Sequence, residues 1–200
     1  MTVDPTSTPQ NLNILAEVVR RARGQKGDRP PTAAVVQALL QAEETTRQQR
    51  LEYPSDALLG EWRLCFVANQ KMRQGQDKVK GGWYVPQFAP AQISFAAAEA
   101  GRSTIANQVQ LGALLLKLTG PANYSGKKNL LAFDFTRIQL SLGSWTIYQG
   151  NIRGGQTEKF YEQSIAQLPF FAFFLITDDF IAARGRGGGL ALWMRVLAKA

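Results

Sequence analysis

Few groups in this 200-residue chain could make or break bonds. It contains no histidine. That excludes imidazole general-base catalysis, Ser-His-Asp and Cys-His nucleophilic arrangements, and every histidine-ligated metal site. The single cysteine, Cys65, excludes an intrachain disulfide and a cysteine-cluster zinc site. It falls in a strand-like apolar run and reads as an inert core thiol. Asp178-Asp179 could hold a cation, but no other carboxylate lies close in sequence, so an acidic turn is the simpler reading. Gly185-Arg186-Gly187-Gly188-Gly189 has the composition of a phosphate loop or an arginine-glycine RNA segment. It lacks the Gly-Lys-Ser/Thr ending and sits between apolar runs, so it reads as a wide hairpin turn. This inventory leans against an enzyme without deciding the matter. What remains is binding by apolar area and by positive charge.

Lys and Arg number 23 against 15 Asp and Glu, a net charge of +8, with a pI near 9.9. An anionic membrane, nucleic acid or an acidic protein would suit that balance, and so would a plain soluble basic surface. Basic residues cluster at Arg20, Arg21, Arg23 and Lys26, at Lys71, Arg73, Lys78 and Lys80, and at Lys127-Lys128. The second cluster leads into Trp83, Tyr84 and Phe88. Cations beside aromatics suit an anionic membrane interface, so Lys71, Arg73, Lys78, Lys80, Trp83 and Tyr84 are candidate membrane-facing residues. Solvated charge on a loop is an equal reading. Nucleic acid is disfavoured, because no recognition module is visible and the aromatics are not spaced as stacking platforms. Met1 to Gln10 is polar and carries Asp4, unlike a signal or transit peptide. The most apolar run, Leu168 to Ile176, holds Pro169 and is too short to span a bilayer. The expected location is cytoplasmic, with peripheral membrane contact.

Two helical patterns must come first. Leu12, Leu15, Val19 and Ala22, widened by Ile14 and Val18, repeat at helical period, and Gly24 ends the run. Thr32 or Asp28 could cap a second helix with the stripe Val35, Val36, Leu39, Leu40 and Ala42. Glu43 and Arg47 would pair on its polar face, and Pro54 stops it. After Asp56 strand-like runs alternate with turns at Gly81-Gly82, Gly120-Pro121, Ser125-Gly126, Gly143, Gly154-Gly155 and Gly185 to Gly189. Leu131, Phe133, Phe135, Ile138, Leu140 and Leu142 alternate, with a parity slip before Ile138 that suggests a bulge. About eight or nine short strands fit an antiparallel barrel. The expected organisation is a helical segment over 1–55 packing on a barrel over 56–200. Both faces of Phe170 to Ile176 are apolar, so one must meet the barrel interior and the other the helices or a membrane.

Gly60-Glu61-Trp62 resembles the opening strand of lipocalins, where glycine turns the chain into the barrel and the indole plugs one end. Thr177 to Leu190, an acidic turn, a strand ending in Arg184-Gly185 and a glycine-rich turn, resembles the closing hairpin of the plastid lipid-associated proteins, or fibrillins. Asn107 with Val109, and Phe133-Asp134-Phe135-Thr136, resemble that family's middle strands. Ile181 departs from the basic residue usual there, Ala182-Ala183 is blander, and Phe170 to Phe174 is more aromatic. The resemblance spans roughly Leu12 to Val196 and implies a mainly β, lipocalin-like barrel preceded by two α-helices. It implies a non-enzymatic protein that binds or organises a carotenoid, prenylquinone, galactolipid or similar hydrophobic molecule at a thylakoid or lipid-body surface. It points to a cyanobacterial type. Two alternatives share the scaffold: a bilin lyase, for which Glu99, Asp134 and Arg137 could serve, and a protein partner of a prenyl-diphosphate synthase. A filled basic barrel that binds only protein is a further reading.

On that picture the interior ligand-binding candidates are Trp62, Asn107, Phe133, Phe135, Leu140, Tyr148, Phe171 and Phe173. Asn107, Thr136, Gln139 and Tyr148 could orient a polar head. A late-strand arginine should lie on Trp62 across the barrel end; Arg184 and Arg195 are the candidates, with Arg184 preferred for its place before Gly185.

Overall fold

The computed structural model describes residues 10–70, 79–98, 102–152 and 157–197. Lys71, Arg73, Lys78 and Glu99 lie outside them. Helices α1 (Gln10–Ala22) and α2 (Thr32–Gln49) come first. Strands β1 (Gly60–Gln70), β2 (Val79–Tyr84), β3 (Ala91–Ala97), β4 (Ser103–Leu111) and β5 (Leu114–Ser125) follow. Then come β6 (Leu130–Phe133), β7 (Arg137–Leu142), β8 (Trp145–Asn151), the short helix α3 (Thr157–Glu162), β9 (Phe170–Ile176), β10 (Phe180–Gly185) and β11 (Leu190–Arg195).

The strands pair antiparallel in the order β4-β3-β1-β11-β10-β9-β6-β5, and β5 pairs back onto β4. These strands close an eight-stranded, lipocalin-like barrel preceded by two helices. β2 adds to the second half of β1, on the same edge as β3. Gly81-Gly82 therefore lies within a strand rather than at a turn. A Cβ at Gly82 would stand 2.2 Å from the Phe66 ring, so the close crossing of β2 over β1 requires glycine. β5 also runs straight through Gly120-Pro121, where the dipeptide suggests a turn. A Cβ at Gly120 would meet the Asp134 carbonyl at 1.9 Å. The Asp134–Thr136 connection crosses β5 at that point, held by Asp134 N donating to Pro121 O and Thr136 N to Thr119 O. This is the bulge the parity slip suggested, and it separates β6 from β7.

Two apolar layers hold the fold. The outer one joins α1 and α2, through Leu15, Val18, Val35 and Leu39, to Phe66, Phe174, Ala182, Leu192 and Met194 on the barrel's outside. The second apolar face of β9 is thus covered by the helices. Thr46 anchors α2 by donating to Phe174 O at 2.6 Å. α2 ends at Arg50, in the left-handed region (φ 51°), ahead of Pro54. Its N-cap position is Pro31, without a side-chain cap, instead of Thr32 or Asp28. Arg47 pairs with Glu44 at 2.6 Å, because Glu43 is engaged elsewhere. Glu43 takes Arg184, whose Nε donates to Oε1 at 2.6 Å. Arg184 therefore faces α2, outside the barrel, and is not the arginine on Trp62. The reason is parity: its neighbours Ala183 and Ile181 take the inward positions on β10.

Arg195 occupies that place, its guanidinium 4.0 Å from the Trp62 ring centre. Its Nη1, Nη2 and Nε donate to the carbonyls of Leu59 (2.9 Å), Ala57 (3.3 Å) and Asp178 (2.6 Å). The buried indole donates to Leu58 O at 2.7 Å. Gly60 takes φ +115°, and a Cβ there would stand 3.0 Å from Arg195 Nη1. Asp179 is drawn the other way, to Arg23 at the end of α1 (2.8 Å). The acidic turn is a clasp between helix and barrel; among the described residues no group of acidic or cysteine side chains is gathered as metal ligands.

Two measurements follow. Trp62→Ala removes the plug and is expected to cost about 3–5 kcal/mol in urea unfolding; wild-type stability would contradict the plug. Burial pushes the Cys65 thiol and the Tyr124 hydroxyl each up to about 12. Both are neutral when protonated, and in the unfolded chain they ionise near their ordinary values, about 8.5 and about 10. At high pH the folded state then holds more protons, so stability falls as pH rises. Urea stability should decline from about pH 8.5 upward, less steeply in Cys65→Ala. A flat profile would contradict the burial of these groups.

Candidate functional site

The barrel interior is packed with its own rings. Phe133 stacks on Phe171 at 5.0 Å, Phe135 packs on Phe133 at 5.2 Å, and Trp193 meets Phe171 edge-on at 5.6 Å. Phe95 and Phe173 make an edge contact at 6.0 Å. With Trp62, Ile105, Ile181 and Ala183 they form one buried cluster. Trp62, Phe133 and Phe173 are therefore core, while Phe135 and Phe171 are half-buried at its margin. Filling by side chains is one of the two ends open to a barrel of this strand number.

Accessible apolar surface lies where the sheet runs past the barrel. β7 pairs with the first half of β5, and β8 pairs with β7. Directly paired residues share a face. One row across this extension is Asn107, Leu118, Ile138 and Gly150; the next is Val109, Leu116, Leu140 and Tyr148; the last is Leu111, Leu114, Leu142 and Trp145. Asn107 also pairs with Ile93, which pairs with Trp62, so these rows continue the barrel's inner wall outward. The opposite face carries Gln108, Lys117, Gln139 and Gln149. There Gln139 donates to Ser141 Oγ at 3.1 Å. Leu116 and Leu118 flank Lys117, and Ile138, Leu140 and Leu142 alternate with Gln139 and Ser141, which dictates this division; Leu115, paired with Gln110 and Ser141, is the apolar exception on the opposite face. Gly112 (φ +59°) and Gly143 (φ +58°) make the two hairpin turns at the free end.

The apolar side of the extension is open. Trp145 is 80% exposed, Leu111 58%, Tyr148 54% and Leu142 52%. Each large apolar side chain left in water forgoes about 1.5–3 kcal/mol of burial. A contiguous face of this kind marks an interaction surface. No ionisable side chain other than the Tyr148 hydroxyl stands on it. Tyr148 lies back over Gly150, where a Cβ would stand 2.5 Å from the hydroxyl. Chemically the face can bind by area and can exclude water; it holds no nucleophile or proton carrier suited to catalysis.

The structure thus brings Asn107, Leu140 and Tyr148 together on one open face, with Phe135 and Phe171 at its barrel end. Gln139 is turned to the opposite, polar side and Thr136 is buried in the bulge, so neither joins Asn107. Leu111, Leu114, Leu116 and Trp145 belong to the face and were not singled out by sequence; Val109 and Leu142 belong to it too and were read only as strand residues. Their alternation was the available signal, but it reads equally as closed barrel wall. Of the membrane-facing candidates, Trp83 is half-exposed opposite Val67. Lys80 falls in β2. Tyr84 does not face outward. Its hydroxyl donates to Pro30 O at 2.6 Å, its ring meets Phe66 edge-on at 5.2 Å, and Arg29 covers it. Asp134 and Arg137 stand at the bulge, with Arg137 paired to Thr119 on the outer face rather than toward the barrel interior. No helix of the described residues is long and apolar enough to cross a membrane.

No family model and no curated protein matches the chain. Among solved structures it is similar to a protein of unknown function of the DUF3598 family from Nostoc punctiforme. That match has a TM-score of 0.32 and 16% identity, over 72% of this chain and 50% of the other. The chain spans half the length of that structure, and the likeness carries no functional argument.

Proposed function

We propose that the protein is a non-enzymatic binder of hydrophobic molecules, an isoprenoid such as a carotenoid or prenylquinone or a polar lipid, at a membrane or lipid-body surface. The observation that carries this reading is the open apolar face of β4, β5, β7 and β8. Flat aromatic and branched aliphatic side chains there offer area to an extended hydrocarbon, at about 25 cal/mol per Å² buried. Asn107, at the barrel end of the same face, supplies a polar group to orient a headgroup. The net charge of +8 favours an anionic surface around the bound molecule. The likeness of Gly60-Glu61-Trp62 and of Thr177 to Leu190 to the fibrillin pattern agrees with the proposal. No observation favours bilin attachment.

Two experiments test it. Flotation with galactolipid vesicles made anionic by added phosphatidylglycerol is expected to carry the protein upward, and Leu142→Ser with Trp145→Ser to abolish this. Equal flotation of the variant would refute the role of the face. In solution, Trp145 should give most of the acrylamide-quenchable tryptophan signal, and a prenylquinone should protect it. Quenching unchanged at saturating quinone would exclude isoprenoid binding there.

A further inference from the structure

A groove of about 580 Å³ crosses the outside of the barrel over β3, β4 and β5. It lies on the opposite side of the sheet from the apolar face. Its floor is low and smooth: Ser94, Ala106 and Thr119 form one cross-strand row, and Ala96, Thr104 and Pro121 the next. Two guanidiniums line it, those of Arg102 and Arg137, and among the described residues no carboxylate does. Arg102 is held 4.7 Å from the ring centre of Tyr161, which also lines the groove. Among the described residues neither arginine is paired with a carboxylate.

We infer that this groove is a second binding site, for a small flat molecule that carries an oxyanion, a carboxylate or a phosphate. Its volume falls in the range of small-molecule sites. Alanine and serine side chains leave room for a planar apolar body to lie against the sheet. Two guanidiniums with no acidic partner among the described residues offer charge-assisted, bidentate hydrogen bonds to the oxyanion. Stacking on Tyr161 orders Arg102 beforehand, which lowers the entropy lost on binding. Threonine hydroxyls at Thr104 and Thr119 can accept or donate at the edge of the ring system. The site differs in chemistry from the uncharged inner face, so a single amphiphile would not satisfy both equally.

The test is calorimetric titration of the full chain with 2-naphthoate, 2-naphthyl phosphate and the neutral 2-naphthylmethanol. It is repeated in Leu142→Ser/Trp145→Ser, where binding to the inner face is removed. One oxyanion probe is expected to bind at one equivalent, about tenfold or more tightly than the alcohol, in both proteins. The tighter of the two oxyanions assigns the natural head as carboxylate or phosphate. Arg102→Gln/Arg137→Gln should erase the preference, and Ala106→Phe should block all three probes while leaving the melting temperature near that of the wild type. Equal binding of the alcohol and both anions overturns the inference. So does anion binding that survives Ala106→Phe, or no binding up to the solubility of the probes.

Discussion

A guanidinium lying on an indole closes one end of this barrel. Arg195 and Trp62 sit on neighbouring strands, the first and last of the chain's sheet, so their contact joins the two ends of the meander. The carbonyls of Ala57, Leu59 and Asp178 occupy the donors that the stacked cation leaves free. Each guanidinium nitrogen of the half-buried arginine donates one bond while its face rests on an aromatic surface. Gly60 completes it, since the turn into β1 brings the backbone where a side chain would displace Nη1.

The closed barrel was legible in the sequence because alternation and turn residues act locally. So was the opening glycine with its tryptophan. The choice between Arg184 and Arg195 was not, because it depends on strand parity, and bulges in β1 and β9 reset that parity. β2 was hidden by Gly81-Gly82, whose meaning comes from the Phe66 ring beneath it. Gly120-Pro121 read as a turn because local propensity cannot register that another segment crosses there. The open face had a plain signature in Leu116 to Leu118 and Ile138 to Leu142. Whether such an alternating run lines a closed interior or an exposed shelf is decided by which strand it pairs with, and pairing partners are distant in sequence.

Apolar surface is divided three ways in this molecule. The helices take the outside of β1, β9, β10 and β11; the aromatic rings take the inside; the extension is left with none of the described residues to cover it. The division follows from geometry. α1 and α2 are already committed, through Arg23 to Asp179 and through Glu43 to Arg184, to the part of the wall made by the closing strands. The extension grows from β5, across the barrel from them in strand order.

The β7–β8 hairpin enters between β6 and β9 and touches the ladder only along β5, while closure is completed by β4 with β5 and by β6 with β9. Its length, sequence and curvature are therefore uncoupled from the cooperative shell. Relatives of this architecture could shorten, enlarge or exchange the hairpin without reopening the cylinder. Such an arrangement lets selection alter the open face while the scaffold beneath it stays constant.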